Sequence, residues 1–419
     1  MFLLYNVLLT FLAPFWVPWL YIKSLRRKER PNWSERMGTY SLPPKGDKRR
    51  VWLHTVSVGE FVAATPILRE LRNTLPDHEI VVSVTTSSGH QTAREKGEGL
   101  YDHLIYFPID VARFQLSALQ QIRPDVVAVM ETELWMNFLW AAKTFGARTM
   151  LINGRISDRS FPRSMKVRFY YKTLFNDLDV CLMQSQTDVD RIKALGAKEA
   201  QMLGNCKFDQ AIDGLQADRK EWSQKLGLDS AKPTLVIGST RGEEEEKFVL
   251  DALGSVGFEK FNVVHAPRHM ERVDGLAELV QSRGLTAARR SKKETGPYLI
   301  LDTYGELSSI YSVADLVIIG GGFSNLGGQN VFQPLAHGKP VLHGKYMQNF
   351  RDVTVLADRA GAAITCATPE ELASEVRRLL EDPSARERMG ADAKRLVRQN
   401  TGASRRYAEA IAVEAAKAK

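Results

Sequence analysis

The chain has 419 residues, more than one ordinary domain needs and enough for two or three. With 44% hydrophobic and 25% charged residues, no low-complexity tract and no fixed-period repeat, the composition is globular and excludes a disordered or repeat protein. A formal net charge of +8 argues for an acidic partner without choosing among nucleic acid, anionic lipid and a phosphorylated substrate, and the scattered Cys181, Cys206 and Cys366 form no metal or redox motif, an odd set that fits a reducing compartment.

Residues Met1 to Ile22 are almost wholly apolar, close to the roughly 20 residues that span a bilayer. Pro14 and Pro18 predict kinks, and Phe15, Trp16, Trp19 and Tyr21 suit a membrane interface. Lys23, Arg26, Arg27, Lys28 and Arg30 follow directly, so the positive-inside rule puts the body of the protein on the cytoplasmic side. No basic stretch precedes the apolar run and no small-residue cleavage site follows it, which argues against a removed signal peptide. A buried core helix would share the composition, but the basic cluster is what an anionic membrane surface attracts.

Beyond Asn32 to Gly38, strands and helices alternate. Strands are predicted at Arg50 to Val56, His78 to Thr86, Tyr101 to Pro108, Val126 to Glu131, Thr149 to Asn153, Val180 to Gln184 and Ala200 to Leu203. This βαβ rhythm means a parallel sheet, whose ligands bind at the carboxyl ends of the strands. Those ends are polar: Ser57 and Glu60, Thr86, Glu131, Asn153 and Arg155, and Lys207. A charged helical stretch over Ala211 to Gly227 and a polar break at Asp229 to Pro233 mark a domain boundary. A second series follows, with strands at Thr234 to Thr240, Asn262 to Met270 and Tyr298 to Leu301.

It ends in the most informative segment, Leu316 to Val341. An apolar run, Leu316 to Ile319, reads as a buried parallel strand. Gly320, Gly321, Gly322, Gly327 and Gly328 follow, then Gln329-Asn330 and a helix-like run closed by Gly338 and Pro340. Strand, glycine loop and helix start present free backbone N–H groups and a positive dipole end to an anion. Asn330 and Gln333, three apart, suit ribose hydroxyls. The expected fold is therefore α/β in the GT-B glycosyltransferase architecture: two Rossmann-like domains with a cleft between them, plus an N-terminal membrane-associated helix. Expected boundaries are 1–22 for the anchor, 23–215 for the N-terminal domain, 216–395 for the C-terminal domain, and 396–419 for a helix packing across the halves.

Several stretches together resemble the 3-deoxy-D-manno-octulosonic acid (Kdo) transferases of lipopolysaccharide synthesis. They are SERMG (34–38), HTVSVGE (54–60), ETELWMN (131–137), NGRISDRS (153–160), GNCKFD (204–209), HAPRH (265–269), DTYGEL (302–307) and GGQNVFQPLAHGKPV (327–341). The resemblance covers nearly the whole chain in order. It implies an inverting transfer of Kdo from CMP-Kdo to the lipid A precursor, lipid IVA, on the cytoplasmic face of the bacterial inner membrane. It implies Glu35 as the catalytic base. The implied donor set is Lys207, Ser239, Thr240, Arg268, Tyr304, Gly305, Gly328, Asn330 and Gln333. Within it, Arg268 and Lys207 would meet the phosphate, Tyr304 and Gly305 the cytosine, and Asn330 and Gln333 the ribose. Ser57, Gly59, Glu60, Thr86, Glu131 and Arg155 would meet the acceptor or the Kdo.

A single-phosphate leaving group could be stabilised by cations and a helix N-terminus, so no metal or other cofactor is expected. His265 and His269 have Pro267 between them and no third ligand in view. The partners implied are the lipid A precursor and the anionic inner membrane surface, with no nucleic acid. Two departures bear on the donor. The family usually has His, Pro and Glu where this chain has Gln329, Val331 and Gln333, and often a His where Arg241 stands. A Gln at 333 keeps hydrogen-bonding capacity but loses the charge-assisted strength of a carboxylate. The competing readings are a GT-B transferase that uses a UDP-sugar, a sugar-nucleotide epimerase of the same architecture, and a non-catalytic nucleotide binder anchored to the membrane.

Overall fold

A computed structural model describes residues 1–26, 32–213, 215 and 217–418. The chain divides into two compact units, residues 1–210 with 401–419, and residues 211–400.

The first unit opens with helices α1 (Phe2–Phe11), α2 (Ala13–Arg26) and α3 (Trp33–Arg36). An alternating series follows: β1 (Arg50–Thr55), α4 (Val58–Thr74), β2 (Glu79–Val84), α5 (Ser87–Lys96), β3 (His103–Tyr106), α6 (Ala112–Ile122), β4 (Val126–Met130), α7 (Met136–Thr144) and β5 (Arg148–Gly154). It continues through α8 (Ser160–Lys166), α9 (Arg168–Phe175), β6 (Val180–Met183), α10 (Gln186–Leu195), β7 (Ala200–Met202) and α11 (Lys207–Ile212). The seven strands form one parallel sheet in the order β3-β2-β1-β4-β5-β6-β7. Runs such as VVAVM in β4 are buried at every position, as helices on both faces require. Order reverses between β1 and β4, the switch point at which ligands bind in such sheets. Several helices start on a hydroxyl: Ser57 accepts from the Glu60 N–H, Thr86 from Gly89 and Ser185 from Asp188. Capping thus explains part of the polarity expected at the strand ends.

The apolar amino terminus is not one helix. No single helix among the described residues is long and apolar enough to cross a membrane; α1 and the start of α2 reach that length together but meet at a 65° bend. The bend falls at Leu12 rather than at Pro14 or Pro18. Pro14 lies in the first turn of α2, where its missing N–H costs nothing. One side of α1 is docked. The Tyr5 hydroxyl donates to Asp110 at 2.8 Å, the Asn6 and Asn137 amides pair at 2.8 and 2.9 Å, and the Phe2 and Trp140 rings lie 4.5 Å apart. Burial pushes the Asp110 carboxyl up to about 6. Leu3, Phe11, Phe15 and Trp19 remain exposed. Of the basic run after α2, Arg27, Lys28 and Arg30 lie outside the described residues, as do the side chains of Lys23 and Arg26.

The second unit runs from α12 (Arg219–Leu226) through β8 (Thr234–Thr240), α13 (Glu243–Val256), β9 (Asn262–Pro267), α14 (Val273–Gln281), β10 (Ala287–Arg289) and β11 (Tyr298–Ile300). It is completed by α15 (Leu307–Ile310), β12 (Leu316–Ile319), α16 (Phe332–Ala336), β13 (Val341–His343), α17 (Arg351–Arg359), β14 (Ala363–Thr365), α18 (Pro369–Glu381) and α19 (Pro383–Asn400). Its parallel sheet has the order β10-β11-β9-β8-β12-β13-β14, with the reversal between β8 and β12. The carboxyl-terminal helical stretch breaks at Thr401-Gly402, where Gly402 takes φ +81°. After it, α20 (Ala403–Lys417) packs on α4, β4 and β5 of the first unit.

Candidate functional site

In the first unit, the carboxyl edge of the sheet gathers a row of the expected residues. Glu35 lies at the end of β3, Thr86 follows β2, Ser57, Gly59 and Glu60 follow β1, Glu131 follows β4, and Arg155 follows β5. At about 5 Å per strand, β3 to β5 spans roughly 20 Å.

Glu35 is held in a single turn. Asn32 caps α3 and donates its amide to Glu35 Oε1 at 2.8 Å; Oε2 accepts from the Tyr106 N–H at 2.6 Å. Arg36 beside it donates to the carbonyls of Thr85 and Phe107 and lies 4.7 Å over the Tyr106 ring. Partial burial raises the Glu35 carboxyl above the usual range, against the pull of the Tyr106 N–H, Arg36 and Asn32. A carboxylate with a raised pKa is a stronger base, which suits removal of a hydroxyl proton.

At the switch point, Glu60 accepts from the Val56 N–H at 2.7 Å. Burial pushes it up to about 7; Glu131 and Glu133 add to the rise and Lys207 opposes it. Lys207, expected on the donor phosphate, lies in the first unit, with Nζ 2.8 Å from Glu131 Oε1. Glu131 and Asn153 both take left-handed φ, +56° and +50°, at the ends of adjacent strands. Such strain in non-glycine residues marks sites more often than ordinary turns. The buried Thr85 Oγ1, Ser87 Oγ and Asn153 Nδ2 along this edge have no hydrogen-bond partner among the described residues, an unmet capacity that a sugar hydroxyl could meet.

The Glu60 shift has a consequence for stability. A carboxyl raised on folding stabilises the fold fully below its ordinary value near 4.5, and that contribution is lost as pH rises through about 7. Glu60→Gln is therefore expected to flatten the fall in melting temperature between about pH 5 and pH 8 and to melt higher than the unsubstituted protein at the upper end. Parallel melting curves for the two proteins would show Glu60 to be uncoupled from folding.

In the second unit, the loops after β8 and β12 meet at the switch point. A Cβ on Gly320 would stand 2.5 Å from Thr240 Cα, so only glycine lets the two strand ends approach. The free N–H groups expected of the glycine loop are largely taken. Glu245, in the first turn of α13, accepts from Gly321 at 2.7 Å, Phe323 at 3.1 Å and Arg241 at 2.7 Å. Gly320 donates to the Gly238 carbonyl and Gly328 to that of Gly321. The loop is thus shaped around a buried carboxylate, one of four consecutive glutamates at 243–246 of which the sequence distinguishes none by residue type. The one signal available was a carboxylate at the third position of a helix that directly follows a strand-end loop.

Thr240 is buried, its hydroxyl 2.8 Å from His265 Nε2, whose Nδ1 lies 2.6 Å from the Tyr298 hydroxyl. Burial holds His265 neutral, down to about 3. The Thr240 side chain is therefore committed to the core, leaving only its backbone for a donor. Ser239 beside it takes φ +62° at a bulge in β8. Arg268 is exposed on the loop after β9 and makes no ion pair among the described residues. Tyr304 is 80% exposed, next to Gly305 at φ +85°. Gly328 takes φ +78°, packed against Met347. Asn330 lies just before α16 rather than on it, its Oδ1 accepting from the Phe332 N–H at 2.8 Å; its amide nitrogen is the group left for a ligand. Gln333 is half-buried in α16. Among the described residues no group of three His, Cys, Asp or Glu is arranged to hold a metal ion.

Residues 31–210 match the sequence profile of the family described as 3-Deoxy-D-manno-octulosonic-acid transferase (kdotransferase). A 3-deoxy-D-manno-octulosonic acid transferase of Bordetella pertussis is 31% identical over 381 residues, covering 86% of this chain and 86% of that protein. A bifunctional glycosyltransferase/methyltransferase of Fusobacterium nucleatum is 31% identical over 341 residues; the match covers 77% of this chain but 52% of that longer protein, about half its length. Among solved structures, a putative UDP-N-acetylglucosamine 2-epimerase of Listeria monocytogenes shares 13% identity at a TM-score of 0.63, covering 87% of this chain and 95% of that one. That likeness establishes the GT-B-like α/β fold and leaves the chemistry to the sequence relatives.

Proposed function

We propose, for a chain that belongs to the 3-deoxy-D-manno-octulosonic acid transferase family of glycosyltransferases, that it transfers Kdo from CMP-Kdo to a hydroxyl of lipid IVA with inversion at the anomeric carbon. The observation that carries this reading is the Glu35 carboxylate, fixed at the end of β3 with a raised proton affinity. In a single displacement, Glu35 takes the proton of the acceptor hydroxyl as its oxygen bonds to the anomeric carbon of Kdo. The bond from that carbon to the phosphate oxygen breaks, and CMP leaves with the electron pair. Attack opposite the leaving group inverts the centre.

On the donor side, Arg268 supplies positive charge for the phosphate and Asn330 and Gln333 hydrogen-bond the ribose. Tyr304 and Gly305 offer backbone groups to the cytosine, Gly328 lets the ligand approach, and Ser239 and Thr240 contribute backbone at the bulge. On the acceptor side, Ser57, Gly59, Glu60, Thr86, Glu131 and Arg155 line the same sheet edge as Glu35; Lys207, paired with Glu131 on that edge, is the second cation offered to the donor phosphate.

The same reading places the protein on the cytoplasmic face of the bacterial inner membrane. Supporting it are the exposed apolar residues of α1 and α2, and a second exposed patch on α8 and α9. There Met165, Val167 and Phe169 alternate with Arg163, Lys166, Arg168 and Lys172. Apolar residues interleaved with cations suit an anionic lipid interface.

The test is incubation with CMP-Kdo, generated in the reaction, and lipid IVA, with products weighed by mass spectrometry. A gain of one or more Kdo masses is expected. No gain from a folded protein, with transfer from a UDP-sugar in its place, would overturn the donor assignment.

A further inference from the structure

A groove of about 370 Å³ lies between α1, α2, α3 and the start of α6, with Leu9, Ala13, Trp16, Trp33, Met37 and Val111 among its walls. None of its eleven lining residues is charged, and the only polar ones are Asn6 and Thr10. Asn6 is already paired with Asn137, and the Trp16 N–H donates to the Leu9 carbonyl at 2.9 Å. A phosphate, a peptide backbone or a sugar would find almost no partner there. An apolar cavity of about 150 Å³ takes one benzene, so by proportion this groove takes roughly fifteen carbons.

Its position is as informative as its lining. Trp33 and Met37 flank Glu35 in the chain, so one wall of the groove is the turn that carries the candidate base. The opposite wall is the bent helix pair, which also carries the exposed Leu3, Phe11, Phe15 and Trp19. We propose that the groove holds one fatty-acyl chain of the lipid acceptor, seated so that the acceptor's sugar lies at Glu35. This rests on the transferase reading and deepens it. The enzyme would grip its acceptor by a tail as well as by the headgroup, and α1 and α2 would form part of the acceptor site as well as attach the protein to lipid.

The test uses the full chain in phosphatidylcholine nanodiscs titrated with 9,10-dibromostearate, whose bromines quench tryptophan. Saturable quenching is expected, from Trp16 and Trp33, over a linear background from lipid-exposed rings. Ala13→Phe and Val111→Phe fill the groove from two different elements, α2 and the start of α6, so agreement between them guards against a folding artefact in either. Each is expected to weaken the saturable phase at least tenfold. In the transfer assay each is expected to lower kcat/KM for the acylated acceptor at least tenfold while leaving transfer to a deacylated acceptor unchanged. Quenching without saturation, or equal in all three proteins, overturns the groove even if Kdo is transferred. Saturable quenching that both variants remove, in a protein that transfers no Kdo, upholds the groove and overturns the transferase reading instead. A dimer that both variants dissolve, without quenching, assigns the groove to a second copy and overturns the proposal.

Discussion

Glu35→Gln is expected to lower Kdo transfer by roughly 10²–10⁴-fold, the usual contribution of a positioned general base, while donor binding and melting temperature stay close to those of the unsubstituted protein. The amide keeps one oxygen to accept from Tyr106 and loses only the exposed bond from the Asn32 amide; Glu35→Ala would leave the Tyr106 N–H unmatched and mix a structural loss with the chemical one. The pH profile separates base from bystander. Glu35 must be ionised to take a proton, so the rate should rise with pH through a value above that of an ordinary glutamate, because burial raises its pKa. In the Gln variant that acid limb should vanish. A variant that retains both rate and limb would remove Glu35 from the chemistry.

The second large effect is expected at Glu245, a buried carboxylate that holds the glycine loop. Its carboxylate gathers three backbone N–H groups from the loops after β8 and β12, and it is 1% exposed. Glu245→Ala leaves those donors unmatched in the interior, at about 1–3 kcal/mol for each. A loss of several kcal/mol in unfolding free energy is expected, with at least tenfold weaker CMP binding as the glycine loop loses its shape. Glu245→Gln retains shape but loses charge and an acceptor, and should fall between. Calorimetric unfolding and CMP titration measure both, and an unchanged melting temperature for the Ala variant would show that the loop holds itself. As Glu245 belongs to the second unit, no change is expected in the Glu60-linked pH dependence of the first.

Much of the architecture was legible in the sequence because parallel strands buried on both faces are written as unbroken apolar runs. Leu316 to Ile319 and Thr234 to Thr240 are strands at the predicted residues. The strands that escaped, β10, β13 and β14, have three residues each; β7 and β11 are as short and were read, so length alone does not decide it. The bend at Leu12 escaped for a different reason. Proline draws the eye, yet in the first turn of a helix it is tolerated, and the break comes one residue before that helix begins. Site residues divide in the same way. Ser57 and Thr86 were visible as polar strand ends, and their capping role is local. Glu245 and Lys207 depend on tertiary neighbours. Four consecutive glutamates look like a solvated helix start, and nothing near Lys207 in the chain indicates that it pairs with Glu131, 76 positions away. Within Glu243 to Glu246, which carboxylates turn inward is set by loops that arrive from elsewhere in the sheet.

The return of α20 to the first unit sets an order of events during synthesis. Tyr407, Ala408, Ile411 and Ala415 belong to the same apolar core as Phe61, Leu68 and Val82, and the Tyr407 hydroxyl donates to the Gly204 carbonyl at 2.7 Å. Between the two parts of that core, the chain runs through residues 211–400, the whole second unit. A ribosome therefore finishes the second unit while the first still shows an uncovered face over α4, and domains that would fold in the order of translation are completed here in the reverse order. A nascent chain stalled before α20 would carry an intact second unit and a first unit with an open, aggregation-prone side over α4, so a truncation within α20 is expected to destabilise the first unit.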